Sequence, residues 1–230
     1  MRFQVLFEDN HFIAVNKPPG ALVQGDITGD MPLVEMVKNY VKDRYNKPGA
    51  VFLGVVHRLD RPVSGVCIFA RTSKGLTRLN ELFRNRDIEK TYWAVTHRRP
   101  EPYEGHLTHY ILKDTTRNIA KAFDQPSNRN SKAKKADLDY KLLATVGTNH
   151  LVEVKPLTGR PHQIRVQFAK MGSPLRGDLK YGSNVRNSDG NIHLHSRSLS
   201  FIHPIKKEPV YIEADPPNEQ VWNEFRHLWD

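Results

Sequence analysis

The sequence predicts an α+β domain built on a large, mainly antiparallel sheet. Strand-like apolar runs stand near both ends of the chain, segments with helical spacing lie between them, and no regular strand–helix–strand rhythm marks a parallel sheet. Val5 to Lys17 reads as two short strands around Glu8-Asp9-Asn10, followed by a Pro18-Pro19-Gly20 turn. Asp30 is placed to cap a helix that carries Leu33, Met36, Val37, Tyr40 and Val41 on one face, and Asn46-Lys47-Pro48-Gly49 ends it. Val51 to Val56 and Val66 to Ala70 read as strands. Ser73 is placed to cap a second helix with Leu76, Leu79 and Phe83 inward, and Thr91 to Thr96 reads as a strand. Ala136 to Val146 alternates, with Leu151 to Leu157 as its expected antiparallel partner. Pro161 suits a first helical turn, Ile164, Phe168 and Met171 mark the core face, and Gly172 marks the end. That spacing also puts His162 and Arg165 on a shared second face. Val210, Ile212 and Ala214 alternate as a late strand. Val221, Trp222, Phe225, Leu228 and Trp229 form an apolar stripe on a last helix, which reads as packing rather than as a platform for stacked bases.

The chain has 230 residues, enough to bury a sizeable core as one domain, 1–230, and shows no repeat, low-complexity tract or linker. No run is long and apolar enough to span a membrane, and acid at Glu8 and Asp9 comes too early for a signal peptide. The single cysteine, Cys67, excludes an internal disulfide framework; it sits in an apolar run and reads as a buried structural thiol. These features lead to the expectation of a cytoplasmic protein, and the absence of an oversized apolar stripe to that of a monomer with no obligate protein partner. The formal net charge is +10, which favours polyanions such as nucleic acid. Lys113, Arg117, Lys121, Arg129, Lys132, Lys134 and Lys135 concentrate it in a segment that reads as an exposed loop, either tracking phosphates or simply solvated.

The most informative stretch is His57-Arg58-Leu59-Asp60-Arg61-Pro62-Val63-Ser64-Gly65. One carboxylate stands between two guanidinium groups and between two apolar runs, so it is expected to be held rigidly, partly desolvated and ionised, as a nucleophile or general base requires. Alone, such an acid reads as a turn-holding ion pair. The stretch resembles the active-site motif of the RluA-type pseudouridine synthases, His-Arg-Leu-Asp followed by Arg-x-x-Ser-Gly. Lys90-Thr91-Tyr92 resembles that family's Lys-x-Tyr segment, and Gly159-Arg160-Pro161-His162-Gln163-Ile164-Arg165 its Gly-Arg-x-His-Gln-Ile-Arg segment. Asn16-Lys17-Pro18-Pro19-Gly20 is similar to the family's opening. Further likeness runs through Gly177-Asp178, Tyr181-Gly182 and Leu194-His195 to Phe201-Ile202-His203-Pro204, so most of the chain is covered.

The resemblance implies a curved, mainly antiparallel sheet with the active cleft across its middle, and conversion of specific uridines in ribosomal or transfer RNA to pseudouridine. It implies that Asp60 is the catalytic carboxylate, Arg165 its ion-pair partner, and Tyr92 the ring that stacks on the target uracil. A base must leave the stack to be modified, and Arg58 is implied to take the vacated position. Lys17, Lys90, Arg160 and His162 are secondary RNA-binding or scaffold candidates. An isomerisation demands neither metal nor organic cofactor, and the sequence shows no nucleotide loop or cysteine-based metal site. His193 and His195, spaced as strand neighbours, read as structural or RNA-facing. The small RNA-binding domain that many relatives carry before the catalytic one is expected to be absent. Pro62-Val63, Pro161 and Gln167 depart from the commonest family residues without removing a proposed catalytic group. Two other readings stand beside this one: a non-catalytic RNA-binding module of the same fold, and a hydrolase using Asp60 with His57.

Overall fold

The computed structural model describes residues 3–229, without the side chain of Arg129; Met1, Arg2 and Asp230 lie outside the described residues. In chain order the elements are β1 (Gln4–Glu8), β2 (Phe12–Lys17), α1 (Leu33–Arg44), β3 (Gly54–Val55), β4 (Ser64–Ala70), α2 (Ser73–Asn85), β5 (Glu89–Thr96), β6 (Glu104–Asp114), β7 (Ile119–Phe123), β8 (Lys134–Val146), β9 (Asn149–Pro156), α3 (Gln163–Lys170), β10 (Leu194–Ile202), β11 (Pro209–Glu213) and α4 (Gln220–Asn223), with short 3₁₀ turns between some of them. They divide into two compact units. The first is Met1–Glu89 with Ser196–Pro217, and the second is Lys90–His195 with Asn218–Asp230.

In the first unit β1, β2, β4 and β10 stand side by side, β3 pairs with β4, and β11 pairs with β10. The pairs β1·β2, β2·β4, β3·β4 and β10·β11 are antiparallel. Strand β4 is buried along its whole length and β2 along most of it. This explains why Val66-Cys67-Ile68-Phe69-Ala70 is continuously apolar rather than alternating: both faces are covered. Phe12, Ala14, Val66, Ile68, Leu79, Leu199, Phe201 and Ile212 form one core cluster. Helix α1 buries Leu33, Val34, Val37 and Val41, close to the face the spacing predicted. Its expected cap differs. Pro32 occupies the N-cap with no side-chain bond, and Asp30 instead pairs with Arg61 at 2.6 Å. Helix α2 starts one residue earlier than the Ser73 cap implied, because Thr72 accepts from Gly75 N at 3.0 Å.

In the second unit the strand order is β5-β9-β8-β6-β7. Each neighbouring pair is antiparallel. The β8·β9 pair was expected; β6 and β7 were not. The basic segment from Lys113 to Lys135, expected as a loop, is the end of β6, a hairpin turn, β7, an irregular stretch with a 3₁₀ turn at Asn128–Asn130, and the entry to β8, so the expectation holds only for 124–133. The β6–β7 hairpin buries Ile111 and Ala120 with Ala136, Val166 and Tyr181. Lys113 on the inner side and Leu112 on the outer side break the alternation that would have revealed it. The last helix is also shorter than expected. Glu219 caps α4 by accepting from Trp222 N and Val221 N, and the chain then breaks into a 3₁₀ turn. Most of the stripe is packing: Val221, Trp222 and Phe225 are buried with Trp93, Val95 and Leu151, and Trp229 packs against them, but Leu228 is exposed. The α+β class with mainly antiparallel pairing therefore holds.

Gly65 is an absolute requirement of the first unit. Its φ is +109°, and a Cβ there would lie 2.2 Å from the carbonyl oxygen of Ser196 on β10. Gly65→Ala is expected to destabilise the protein by about 3 kcal/mol or more, through strain and forced strand separation. A urea midpoint equal to that of the wild type would refute this.

Burial also sets a pH dependence. It lowers the pKa of His109, His150 and His203 below the ordinary 6.5; Asp124 opposes the shift at His109 and Asp9 at His203, in both cases by less. The folded state thus binds fewer protons than the unfolded chain. Stability is full above pH 6.5 and declines as the pH falls through the lowered values. Urea unfolding at pH 7.5 and 5.5 should give a lower midpoint at 5.5, and equal midpoints would contradict the assignment.

Candidate active site

The motif residues of the first unit converge on the connection between β3 and β4. Leu59 and Val63 are buried and anchor it, while Arg58 and Arg61 are exposed and Asp60 is half-buried between them. Val63 N donates to Asp60 O at 3.0 Å, closing a tight turn. The turn is clamped from the Pro18-Pro19-Gly20 side. Gly20 N donates to Arg61 O at 2.9 Å, and Arg61 Nε donates back to Gly20 O at 3.1 Å.

Beneath the turn lies Lys17, the last residue of β2. Its side chain is fully buried, and Nζ donates to Pro18 O at 3.1 Å and Arg61 O at 3.0 Å. Burial pushes this ammonium down to about 8; the nearby Cys67 thiol and Asp60 carboxylate pull it back up, and Arg61 adds to the fall. Its ammonium braces the loop from within and does not face solvent. Cys67 is a buried free thiol whose pKa burial raises to about 12, which fits the structural role read from the sequence. His57 is likewise engaged in architecture. Its Nε2 accepts from Ile68 N at 3.0 Å and its ring stacks on Phe83 at 4.9 Å. A hydrolase using His57 as base would need that ring released.

In the second unit, Lys90 and Tyr92 lie two apart on β5 and so share a face of that strand; both are half-buried. The Thr158 to Arg165 stretch forms a cage that the spacing alone did not reveal. Thr158 Oγ1 accepts from Asp137 N at 3.0 Å and donates to Gln163 Oε1 at 2.7 Å. Gln163 Oε1 also accepts from Arg160 N at 2.9 Å, and Gln163 Nε2 donates to Asp137 O at 3.0 Å. Arg160 adds Nε to Lys135 O at 2.9 Å. Every partner lies on the loop or on β8, so the loop is fixed to the sheet.

His162 does not enter the helix as expected. It is the N-cap of α3 in the left-handed region, φ 55°, and therefore does not share a helical face with Arg165. The two meet instead at Tyr181. His162 Nδ1 lies 2.5 Å from Tyr181 Oη, and the Arg165 guanidinium sits 5.0 Å from the centre of the Tyr181 ring. Arg165 is buried and forks onto Asp178, with Nε to Oδ2 at 2.7 Å and Nη2 to Oδ1 at 2.8 Å.

Asp178 and Tyr181 carried no role in the sequence reading. The signal was present: a buried arginine needs a carboxylate, and Gly177-Asp178 follows closely. Gly177 itself has φ +84°, and a Cβ there would meet Asn187 Nδ2 at 2.2 Å. Gln167, one of the departures from the family pattern, is fully buried and donates to Leu107 O and Ala136 O, tying α3 to β6 and β8. His193 and His195 are both buried, with rings 5.5 Å and 5.9 Å from that of Trp222; of the two readings offered for them, the structural one applies. Among the described residues, no group of three His, Cys, Asp or Glu is arranged to hold a metal ion, and no helix is long and apolar enough to cross a membrane.

Comparison with known proteins gives this arrangement its class. Residues 11–170 match the family described as RNA pseudouridylate synthase. The chain belongs to that family, and its motifs are those of the RluA type; it is an RNA pseudouridine synthase, an isomerase. It is 32% identical to the tRNA pseudouridine synthase C of Vibrio cholerae, over 95% of this chain and 92% of that one. It is 33% identical to the ribosomal large subunit pseudouridine synthase C of Rickettsia bellii, over 93% of this chain and 68% of that one. Against the protein of the same name from Buchnera aphidicola the identity is 30%, and the chain spans 66% of that relative's length. The solved human RNA pseudouridylate synthase domain containing 4 superposes with a TM-score of 0.78 at 24% identity, over 97% of this chain and 92% of that one, which establishes the shared fold.

The cage around Gln163 yields a direct test. Gln163→Leu removes bonds to Thr158, Arg160 and Asp137 and leaves buried polar groups unpaired, at a cost of about 2–3 kcal/mol. Calorimetry should show a fall of several degrees in melting temperature. An unchanged melt would mean that the cage does not hold the loop.

Proposed function

We propose that this enzyme converts specific uridines of transfer or ribosomal RNA to pseudouridine, with Asp60 as the catalytic carboxylate. The observation that carries this reading is the construction around Asp60. A half-buried acid on a tight turn, fixed below by a buried ammonium and at the side by Gly20, loses little entropy when it meets a substrate. The reaction breaks the bond from ribose to the ring nitrogen, turns the uracil and joins ribose to ring carbon five. The leaving group is recaptured, so neither water nor a redox partner enters the balance. Asp60 acts at the sugar. Tyr92, held by strand pairing on β5, stacks on the extruded uracil and takes part in the proton shift; Arg165 is the guanidinium of the catalytic set. Arg58, exposed beside Asp60, fills the place of the flipped base. Lys90 and Arg160 contact the RNA backbone, Lys17 acts on the same site from beneath, and His162, with both ring nitrogens engaged by Lys113 and Tyr181, serves RNA binding through the hairpin it holds. The exposed cations Arg117 and Lys121 of the hairpin supply further phosphate contacts.

Transfer RNA is the first substrate to test, because the match to relatives named for it runs nearly end to end in both chains. The enzyme then works in the compartment of its RNA, the cytoplasm. Asp60→Asn should lower tritium release from RNA labelled at uridine carbon five by about a thousandfold or more while leaving RNA binding within a few fold. Full turnover in this variant would overturn the assignment. A wild-type protein that binds RNA and releases no tritium would point to the binding-module reading instead.

A further inference from the structure

Tyr181 stands where three elements of the second unit meet. Its ring belongs to the buried cluster of Ile111, Ala120, Ala136 and Val166. Its hydroxyl oxygen accepts from Ala120 N of β7 at 2.8 Å and lies 2.5 Å from His162 Nδ1 at the head of α3. On the far side of that imidazole, Lys113 Nζ of β6 lies 3.0 Å from His162 Nε2. An ammonium has only protons to give, so Nε2 must accept. The ring proton of the neutral imidazole is then on Nδ1 and is donated to Tyr181 Oη. Direction thus runs one way along the chain, from Lys113 through His162 to Tyr181. The hairpin is secured twice more: Lys113 Nζ also donates to Asn118 Oδ1, and Lys180, next to Tyr181, donates Nζ to Asn118 O at 3.0 Å. The face of the same ring carries the Arg165 guanidinium, which also forks onto Asp178.

We propose that Tyr181 is a positioning residue with two separable tasks: its ring holds Arg165 in the reactive pose, and its hydroxyl, through His162 and Ala120, seats the basic β6–β7 hairpin for RNA. The inference rests on the catalytic reading of Arg165 given above. The two tasks use different atoms, so they come apart under substitution. Tyr181→Phe keeps the ring and loses the hydroxyl; Tyr181→Leu loses both.

The test is steady-state tritium release from a transfer RNA pool labelled at uridine carbon five and prepared from cells lacking the gene. Tyr181→Phe and His162→Ala should each act chiefly on KM, raising it about fivefold. Tyr181→Leu should in addition lower kcat about 30-fold, since a displaced guanidinium no longer matches the reacting geometry. A wild-type kcat in Tyr181→Leu, or an equal loss of kcat in Tyr181→Phe and Tyr181→Leu, overturns the proposal. A double-mutant cycle keeps it falsifiable if Tyr181→Leu does not fold. Phenylalanine at 181 and alanine at 162 break the same chain, so the double variant should resemble either single one. Additive losses would show that no such chain exists. Asp60→Asn run in parallel separates the two levels. If that variant is inactive while Tyr181→Leu is normal, the positioning role alone falls; if Asp60→Asn is active, the catalytic reading falls first.

Discussion

The first unit depends on one ammonium buried beneath a turn. Lys17 lies beyond the reach of water, and its two hydrogen bonds go to the carbonyls of Pro18 and Arg61. Burying a lysine is costly, which is why its proton is held less firmly than in an exposed lysine. The cost is met by local geometry. Two carbonyls that would otherwise face a dry interior are satisfied, and the Asp60 carboxylate favours the charged form. The return is positional. Arg61 follows Asp60 directly, so fixing its carbonyl fixes the turn, and Gly20 repeats the constraint through a pair of bonds with Arg61. The strand, the Pro-Pro-Gly turn and the acid-bearing turn therefore form a single rigid piece. Asp30, drawn away from its helix, adds a weaker exposed ion pair to the same arginine.

The second unit reaches rigidity by the same principle with neutral groups. The cage of Thr158, Gln163, Asp137 and Arg160 occupies both ends of a buried amide, and the Arg165–Asp178 fork occupies a buried guanidinium. Such networks add little net stability compared with apolar packing of equal volume, but they admit one arrangement where apolar side chains admit several. Apolar contacts hold the units together: Phe12 with Phe201 in one, and Trp93 with Trp222, Phe225 and Trp229 in the other. Polar contacts decide where the loops go.

That division explains what could be read in advance. The faces of α1 and α2, the strands β2, β4 and β9, and the packing role of Val221, Trp222 and Phe225 follow from periodicity, which is local, whereas α3 is buried at every position from Gln163 to Phe168 and has no single core face. The Asp60 stretch stood out because its charges are adjacent in sequence. The β6–β7 hairpin did not, because both of its sides mix apolar and charged residues: Lys113 stands on the side of Ile111 and Ala120, and Leu112 on the side of Asp114 and Lys121. Asp30 looked like a cap from its neighbours and was claimed by Arg61, 31 residues away. His162 looked like a helical residue and adopts a left-handed turn that Gln163 and Arg160 impose. Arg165 and Asp178 were both visible, yet nothing in their spacing announces a fork. Partners brought together by the tertiary fold leave no periodic trace.

The structure also divides the motif residues in a way that letters alone do not. Lys17, Gly65, Gln163 and Gly177 are enclosed, and each has a steric or hydrogen-bonding duty that accounts for its identity. Arg58 is exposed, and Asp60, Lys90, Tyr92 and Arg160 retain accessible surface. Chemistry on a nucleotide requires groups that a nucleotide can reach, and the second set meets that requirement. Arg165 falls between the two. It is enclosed like the first set, yet its charge is engaged by Asp178 on one side and by the π-face of Tyr181 on another. A guanidinium engaged by a carboxylate and by a ring face keeps its charge in one fixed place, although the residue is buried.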